Sequence, residues 1–498
     1  MLTVYSSIVF DQKFPNALDE TSTMNADALI SSFPSFDMSG AREGTQTFAD
    51  HDLAYMQWVS WYYGKPDENQ QPKGRKLLDA PGFDNPLYGL WNKDAVIQDG
   101  VGGSGVMCMF NMQDSNAVVI SPLDNFMASS QYSPAPGVVE FGIMGNVTSV
   151  PKGYAMKTIM HFSEHGINGA MNSWGNIVRN YYQKGALSTA RSKDITLQYL
   201  GFNTDNGAYY YYNTVPGKNY EETMTDVKEY ADKVGYKYVL LDSWWYYQGE
   251  DGGVTNWTGR PDIFPNGVEA VYKNTGWLVQ AHNRWWSPFN EYAKQNGGKY
   301  EFIIDSVKNG SVPLEQEFWD DLLSVPASDW GLRVYEQDWL YNGLYLFVSD
   351  LLASVSLART WLLQMGSAAE KNGLTIQYCM PYIRHVLQSL EISAVTQARA
   401  SDDYKPLVDS EQWRIGGQSI LFNAVGISPS KDGIWTTTLQ PGSPYGAQGR
   451  ELHSRLQAAV LTLSTGPIAI GDGIGYSDVE LILRSCMKVC HALYYRCY

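Results

Sequence analysis

Acidic side chains fall at the ends of successive strand-like runs in the second half of this 498-residue sequence. Asp205 lies just after the run DITLQYLGF. Asp242 ends YKYVLLD (236–242), and His282 ends WLVQAH (277–282) with Arg284 two residues beyond. Asp338 ends LRVYEQD (332–338), Cys379 ends LTIQYC (374–379), and Asp402 and Asp403 follow AVTQAR (394–399), whose last residue is Arg399. Carboxylates accept hydrogen bonds more strongly than neutral groups do, so such a ring with one Arg and one His suits a ligand rich in hydroxyls. An Asp after a strand also serves as a helix N-cap or turn former. That plainer explanation fits any one of these residues better than it fits the series.

The elements that must hold the ring follow from the pattern between the runs. YEETMTDVKEYADKVG (220–235) carries Met224, Val227, Ala231 and Val234 at helical spacing, with Gly235 at the expected stop. Helical or mixed segments separate the other runs, and SILFNAVG (419–426) and GPIAIGD (466–472) supply a seventh and an eighth strand. Eight alternating strands and helices predict a parallel (β/α)8 barrel, whose active groups project from the C-terminal strand ends. A doubly wound sheet is the alternative. Upstream, GVMCMFNM, NAVVISPL and GVVEFGIMG are short apolar runs broken by turn residues, as in an all-β sandwich, and a helix from about Ala170 to Tyr182 leads out of it. The expected domains are 1–185 for the sandwich with its helical linker and 186–480 for the barrel.

Composition narrows the function classes. A formal net charge of -16 opposes phosphate backbones and anionic lipid, which argues against nucleic acid and membrane partners and leaves a neutral ligand unaffected. The 16 Trp and 34 Tyr can stack on sugar rings, although most belong to an aromatic-rich core. Five cysteines are too few and too scattered for a disulfide framework, and none has zinc-site company among the 7 His, so neither metal nor cofactor is expected. The most apolar long segment, Leu344 to Leu363, carries Asp350 and Arg359 and reads as a buried helix. Three sequons, at Asn146, Asn256 and Asn309, leave localisation open.

Five collinear motifs carry a resemblance. AVTQARASDDY (394–404) resembles the AVxRASDDF signature of raffinose synthases and alkaline α-galactosidases, in glycoside hydrolase clan D, family 36. IQYCM (376–380) resembles that family's fifth-strand motif, STGPIAIGD (464–472) its last barrel segment, YVLLDSWWY (238–246) its second strand and FPNGV (264–268) the segment that follows. The match spans about Asp194 to Asp472 in the family's order.

The resemblance implies a retaining double displacement on an α-linked glycoside, with Asp338 as nucleophile and Asp403 as general acid/base. Such chemistry needs one carboxylate ionised to attack the anomeric carbon and one protonated to help the leaving group, roughly 5 Å apart. Asp402 is the rival acid/base. Arg399 is expected either to hold a sugar hydroxyl or to pair with Asp402. Asp242, Trp245, His282, Arg284, Cys379 and Asp432 (in SPSKDGIW) are further expected binding residues; His282 falls where relatives place an aromatic. Glu336 stands where relatives often carry a Lys, which reverses the hydrogen bond offered to the sugar and puts galactose specificity in doubt. Residues 481–498 look like the truncated start of a C-terminal β domain. A transglycosidase of the raffinose-synthase kind and a non-catalytic carbohydrate-binding or truncated product are the alternatives.

Overall fold

The structure is a computed structural model that describes residues 6–37, 53–59, 86–91, 95, 97–103, 105–135, 137–209, 213–406, 415–441, 449–489 and 492–494. Eight short parallel strands form its centre: β1 (Leu200–Asn203), β2 (Tyr238–Leu241), β3 (Leu278–Asn283), β4 (Leu332–Gln337), β5 (Thr375–Tyr378), β6 (Val395–Arg399), β7 (Ser428–Ser430) and β8 (Ile468–Ile470). Each pairs with the next from β1 to β7, and β8 pairs back onto β1. Four residues beyond β7, Ile434 bridges Ile470 of β8. A doubly wound sheet would leave two free edges here, whereas this order curls the sheet on itself into a TIM-barrel-like α/β fold.

Local sequence explains the elements around it. The helix Tyr220–Ala231 opens with Asn219 and Glu222 in a reciprocal capping box and buries Met224, Val227 and Ala231. Gly235, at φ 84°, then takes the left-handed turn into β2. Of the run DITLQYLGF (194–202) only the end, from Leu200, is extended as β1. Ile195–Leu197 is a 3-10 turn because Asp194 caps it, accepting from Thr196.

Two expectations are corrected. SILFNAVG is not the seventh strand but the end of the helix Ile415–Val425, whose buried Ile415, Gln418, Leu421, Phe422 and Val425 recur at helical spacing; the strand is Ser428–Ser430, just beyond. Leu344 to Leu363 is not one helix. It divides into a π-turn (Gly343–Phe347), a short helix (Asp350–Ala353) and the start of the helix Leu357–Lys371. Ser354 is extended between the last two, and its hydroxyl accepts from the Ser356 and Leu357 amides, so the polar side chain competes with continued helix. Among the described residues no helix is long and apolar enough to cross a membrane.

The N-terminal part forms antiparallel sheets of six and three strands, which include all three apolar runs read as strands. Tyr55, Met107, Met109 and Ile120 of the larger sheet share a core cluster with Val139 and Phe141 of the smaller. The helix Gly166–Tyr182 lies against the barrel helix Ile415–Val425 so closely that a Cβ on Gly175 would sit 2.4 Å from the Ala424 carbonyl oxygen. Arg384, wholly buried on the helix after β5, donates to the carbonyls of Val101 and Met127 at 3.2 and 2.8 Å and to that of Gly100 at 3.4 Å. Trp58 donates to the Gly417 carbonyl across the same seam. Cys108 and Cys379 are buried free thiols, Cys486 is half-buried, and Cys490 and Cys497 lie outside the described residues.

Candidate active site

The barrel interior is unusually polar, and it is built in layers because side chains two apart on a strand share a face. Lowest, buried Asp194 accepts from Thr196, Thr396 and Gln397. Above it, Gln280 of β3 donates at 2.9 Å to both Glu336 of β4 and Gln377 of β5. At the C-terminal ends of the strands stand His282, Asp338, Arg399, Asp403, Asp205, Asp242 and Asp432. The expected ring is therefore assembled at one end of the barrel.

Asp338 is fixed from two sides. Its Oδ2 lies 2.9 Å from His282 Nε2 and its Oδ1 accepts from the Trp339 amide at 2.6 Å. Trp339 adopts φ 60°, a conformation costly for a bulky side chain, in making this turn. Burial raises the Asp338 pKa, but the His282 hydrogen bond and charge, the Cys379 thiol and the Trp339 amide outweigh it, so the group is held below the ordinary carboxylate value. Behind His282, Nδ1 meets the Tyr246 hydroxyl at 2.9 Å, and Arg284 Nε donates to that hydroxyl at 3.2 Å. The Arg284 guanidinium lies over both Trp285 and Trp339, 5.5 Å from each ring.

The other half of the ring centres on Arg399, which is buried with three acids around it. Nη2 pairs with Asp403 at 3.0 Å, and Nη1 lies 3.6 Å from Asp432 and 3.8 Å from Asp205. The expected pairing with Asp402 does not occur; that side chain accepts from the Asp403 amide and lies 3.7 Å from Lys405. Burial pushes Asp403 up to about 7 despite Arg399, with Asp432, Asp402 and Asp338 adding to the rise. Asp205 is raised too, by burial first and then by the neighbouring carboxyl groups of Asp242, Asp432 and Asp403. Asp205, Asp403 and Asp432 bring oxygens within 4.8 Å of one another, a spacing a divalent cation could bridge, but Arg399 already supplies positive charge there. Cys379 joins the halves, its sulfur 3.8 Å from Arg399 Nη1.

Two expected site residues lie apart from the ring: Glu336 is held one layer below it, and Trp245 is brought elsewhere. Its ring packs on Trp257 and Trp330 behind the sheet, and its indole nitrogen donates to Leu241. The WWY run follows β2, and it is Tyr246, not its neighbour, that turns to the site. Sequence reasoning missed Tyr246, the Gln280–Gln377 layer and Lys431. Lys431 is buried beside Asp432, pushed down to about 8 by burial, and lies 5.6 Å over the Tyr404 ring. Alternation on β3 and β5 was the available signal for the two glutamines. A cavity of about 580 Å³ lies elsewhere, lined by residues including Tyr209, Val215, Tyr230 and Pro441; the convergence of titratable groups, not a cavity, marks the candidate site.

No family model and no curated protein matches the sequence. Solved structures do match. An α-galactosidase from Lactobacillus brevis superposes with a TM-score of 0.57 at 12% identity, covering 96% of this chain and 63% of that one. The GH36 α-galactosidases AgaB and AgaA of Geobacillus stearothermophilus, the latter as a variant bound to stachyose, give 0.57 and 0.54 at 11% and 13% identity, each covering 91% of this chain and 61% of theirs. The chain thus spans less than two thirds of the length of these proteins, and its fold is that of the GH36 α-galactosidases.

Proposed function

We propose that the protein is a retaining α-glycoside hydrolase, α-galactosidase-like, acting on α-linked oligosaccharides, with Asp338 as nucleophile and Asp403 as general acid/base. One observation carries this reading: two carboxyl groups at one end of the barrel are driven apart, Asp338 held ionised by its donors and Asp403 pushed up to about 7. In the first step Asp338 attacks the anomeric carbon while Asp403 gives its proton to the departing oxygen. In the second, Asp403 takes a proton from the water that displaces Asp338. The fold shared with enzymes solved with stachyose or raffinose supports the substrate class. The two antiparallel N-terminal sheets fit a sandwich (1–185) that buttresses a barrel domain of 186–480.

The test is hydrolysis of aryl α-galactoside, α-glucoside and α-N-acetylgalactosaminide, with a sugar acceptor in parallel reactions; transfer to that acceptor would identify a transglycosidase. Asp338→Gly abolishes turnover, and added azide takes the vacated place to give a β-glycosyl azide. Asp403→Ala still forms the glycosyl-enzyme from substrates with good leaving groups, and azide releases the α-glycosyl azide. If the two anomers come from the opposite variants, the roles are exchanged; if Asp338→Gly retains full turnover, the reading fails.

A further inference from the structure

We propose that Arg284, Tyr246 and His282 form a hydrogen-bonded chain that keeps a donor aimed at Asp338 and so sets its position and charge, with His282 as its positioning residue. The inference rests on Asp338 being the nucleophile. It starts from geometry. Asp338, as a carboxylate, can only accept, so His282 Nε2 carries a hydrogen. Arg284 Nε can only donate, so the Tyr246 oxygen accepts from it. The Tyr246 hydrogen is then free to point at His282 Nδ1, which fixes the Nε2–H tautomer of a neutral ring. If the ring takes a second proton, the Tyr246 oxygen has a further lone pair for Nδ1–H. In both states the donor aimed at Asp338 is preserved.

The groups facing the ring agree with this role. From the segment after β2 come Asp242, whose Oδ1 lies 3.7 Å from His282 Nε2, and Tyr246, whose ring stacks parallel to the imidazole. From β4 and its end come Glu336 and Asp338, both of which favour the charged ring. Arg284 acts through Tyr246. Burial opposes the imidazolium, and Asp242 and Asp338 more than offset it. A phenylalanine at this position could stack on a ligand but could not donate to the carboxylate. His282 therefore couples the nucleophile to a proton that never enters the reaction.

The experiment is the pH dependence of kcat/KM on an aryl α-glycoside for the full chain and for His282→Gln, His282→Phe and Tyr246→Phe, with melting curves for each. Without a cationic donor, Asp338 ionises at higher pH, so the acid limb of His282→Phe moves up by about 1 unit or more. His282→Gln, which keeps a neutral donor, moves it less, and Tyr246→Phe shifts it least while lowering kcat more than it raises KM. Acid limbs that stay in place in all folded variants, with kcat reduced or not, overturn the proposal, since packing alone would leave the limb unmoved. Should both His282 variants fail to fold, Tyr246→Phe alone decides: an acid limb that stays in place overturns it, whatever happens to kcat. Loss of the nucleophile assignment is separable, because it appears as turnover persisting in Asp338→Gly.

Discussion

Glu336 shows how much one side chain can change what a barrel mouth asks of its ligand. It shares the inward face of β4 with Asp338, two residues on, and sits one layer deeper, bonded to Gln280 at 2.9 Å. Burial pushes it up to about 7, so near neutrality it is poised between offering a hydrogen and accepting one. A lysine there could only donate. Glu336→Lys is expected to raise the kcat/KM ratio of α-galactoside over α-glucoside by at least about tenfold, as a reversed buried hydrogen bond discriminates strongly. Steady-state kinetics on the two aryl glycosides checks this, and an unchanged ratio leaves Glu336 a purely structural part of the Gln280–Gln377 layer.

At the scale of elements, the site residues were legible where a strand ended and illegible where a loop turned. His282 and Arg399 could be placed because a strand fixes direction by its period of two; Asp242 and Asp338 stand one residue past a strand end, and Asp403, four residues past β6, was placed by its motif. Trp245 and Tyr246 could not be told apart, since they follow β2 where that period no longer applies. SILFNAVG misled because a short apolar run fits a buried strand and a buried helix equally; the helix packs on a partner far away in sequence, the Gly166–Tyr182 helix, about which local pattern is silent. That contact has a price in space: Gly175 is the only residue type that fits beneath Ala424. Gly175→Val is expected to destabilise the fold by about 2 kcal/mol through overpacking, read as a lower melting temperature, while the acid limb of the pH profile stays in place.

At the scale of the whole molecule, buried acids make stability depend on pH in an uncommon direction. Glu336 and Asp472 are both pushed up to about 7 by burial, from ordinary values of 4.5 and 3.8. Between those values and 7 the folded chain binds more protons than the unfolded one, so these two groups cost stability as pH rises through that window. Asp338 acts oppositely, its contribution present above its ordinary value and lost as pH falls below it. The melting temperature is expected to fall between pH 5 and pH 8, and Glu336→Gln, which keeps an oxygen for Gln280, should flatten that fall; an identical slope would exclude Glu336 as a source. The seam made by Arg384 has a different kind of consequence. It grips the N-terminal layers by their main-chain carbonyls, and every residue type has a carbonyl. Val101 and Met127 can be replaced over generations without cutting those bonds, whereas Arg384 has no substitute that reaches all of them. The junction is thus indifferent to side-chain identity on one side and wholly dependent on it on the other.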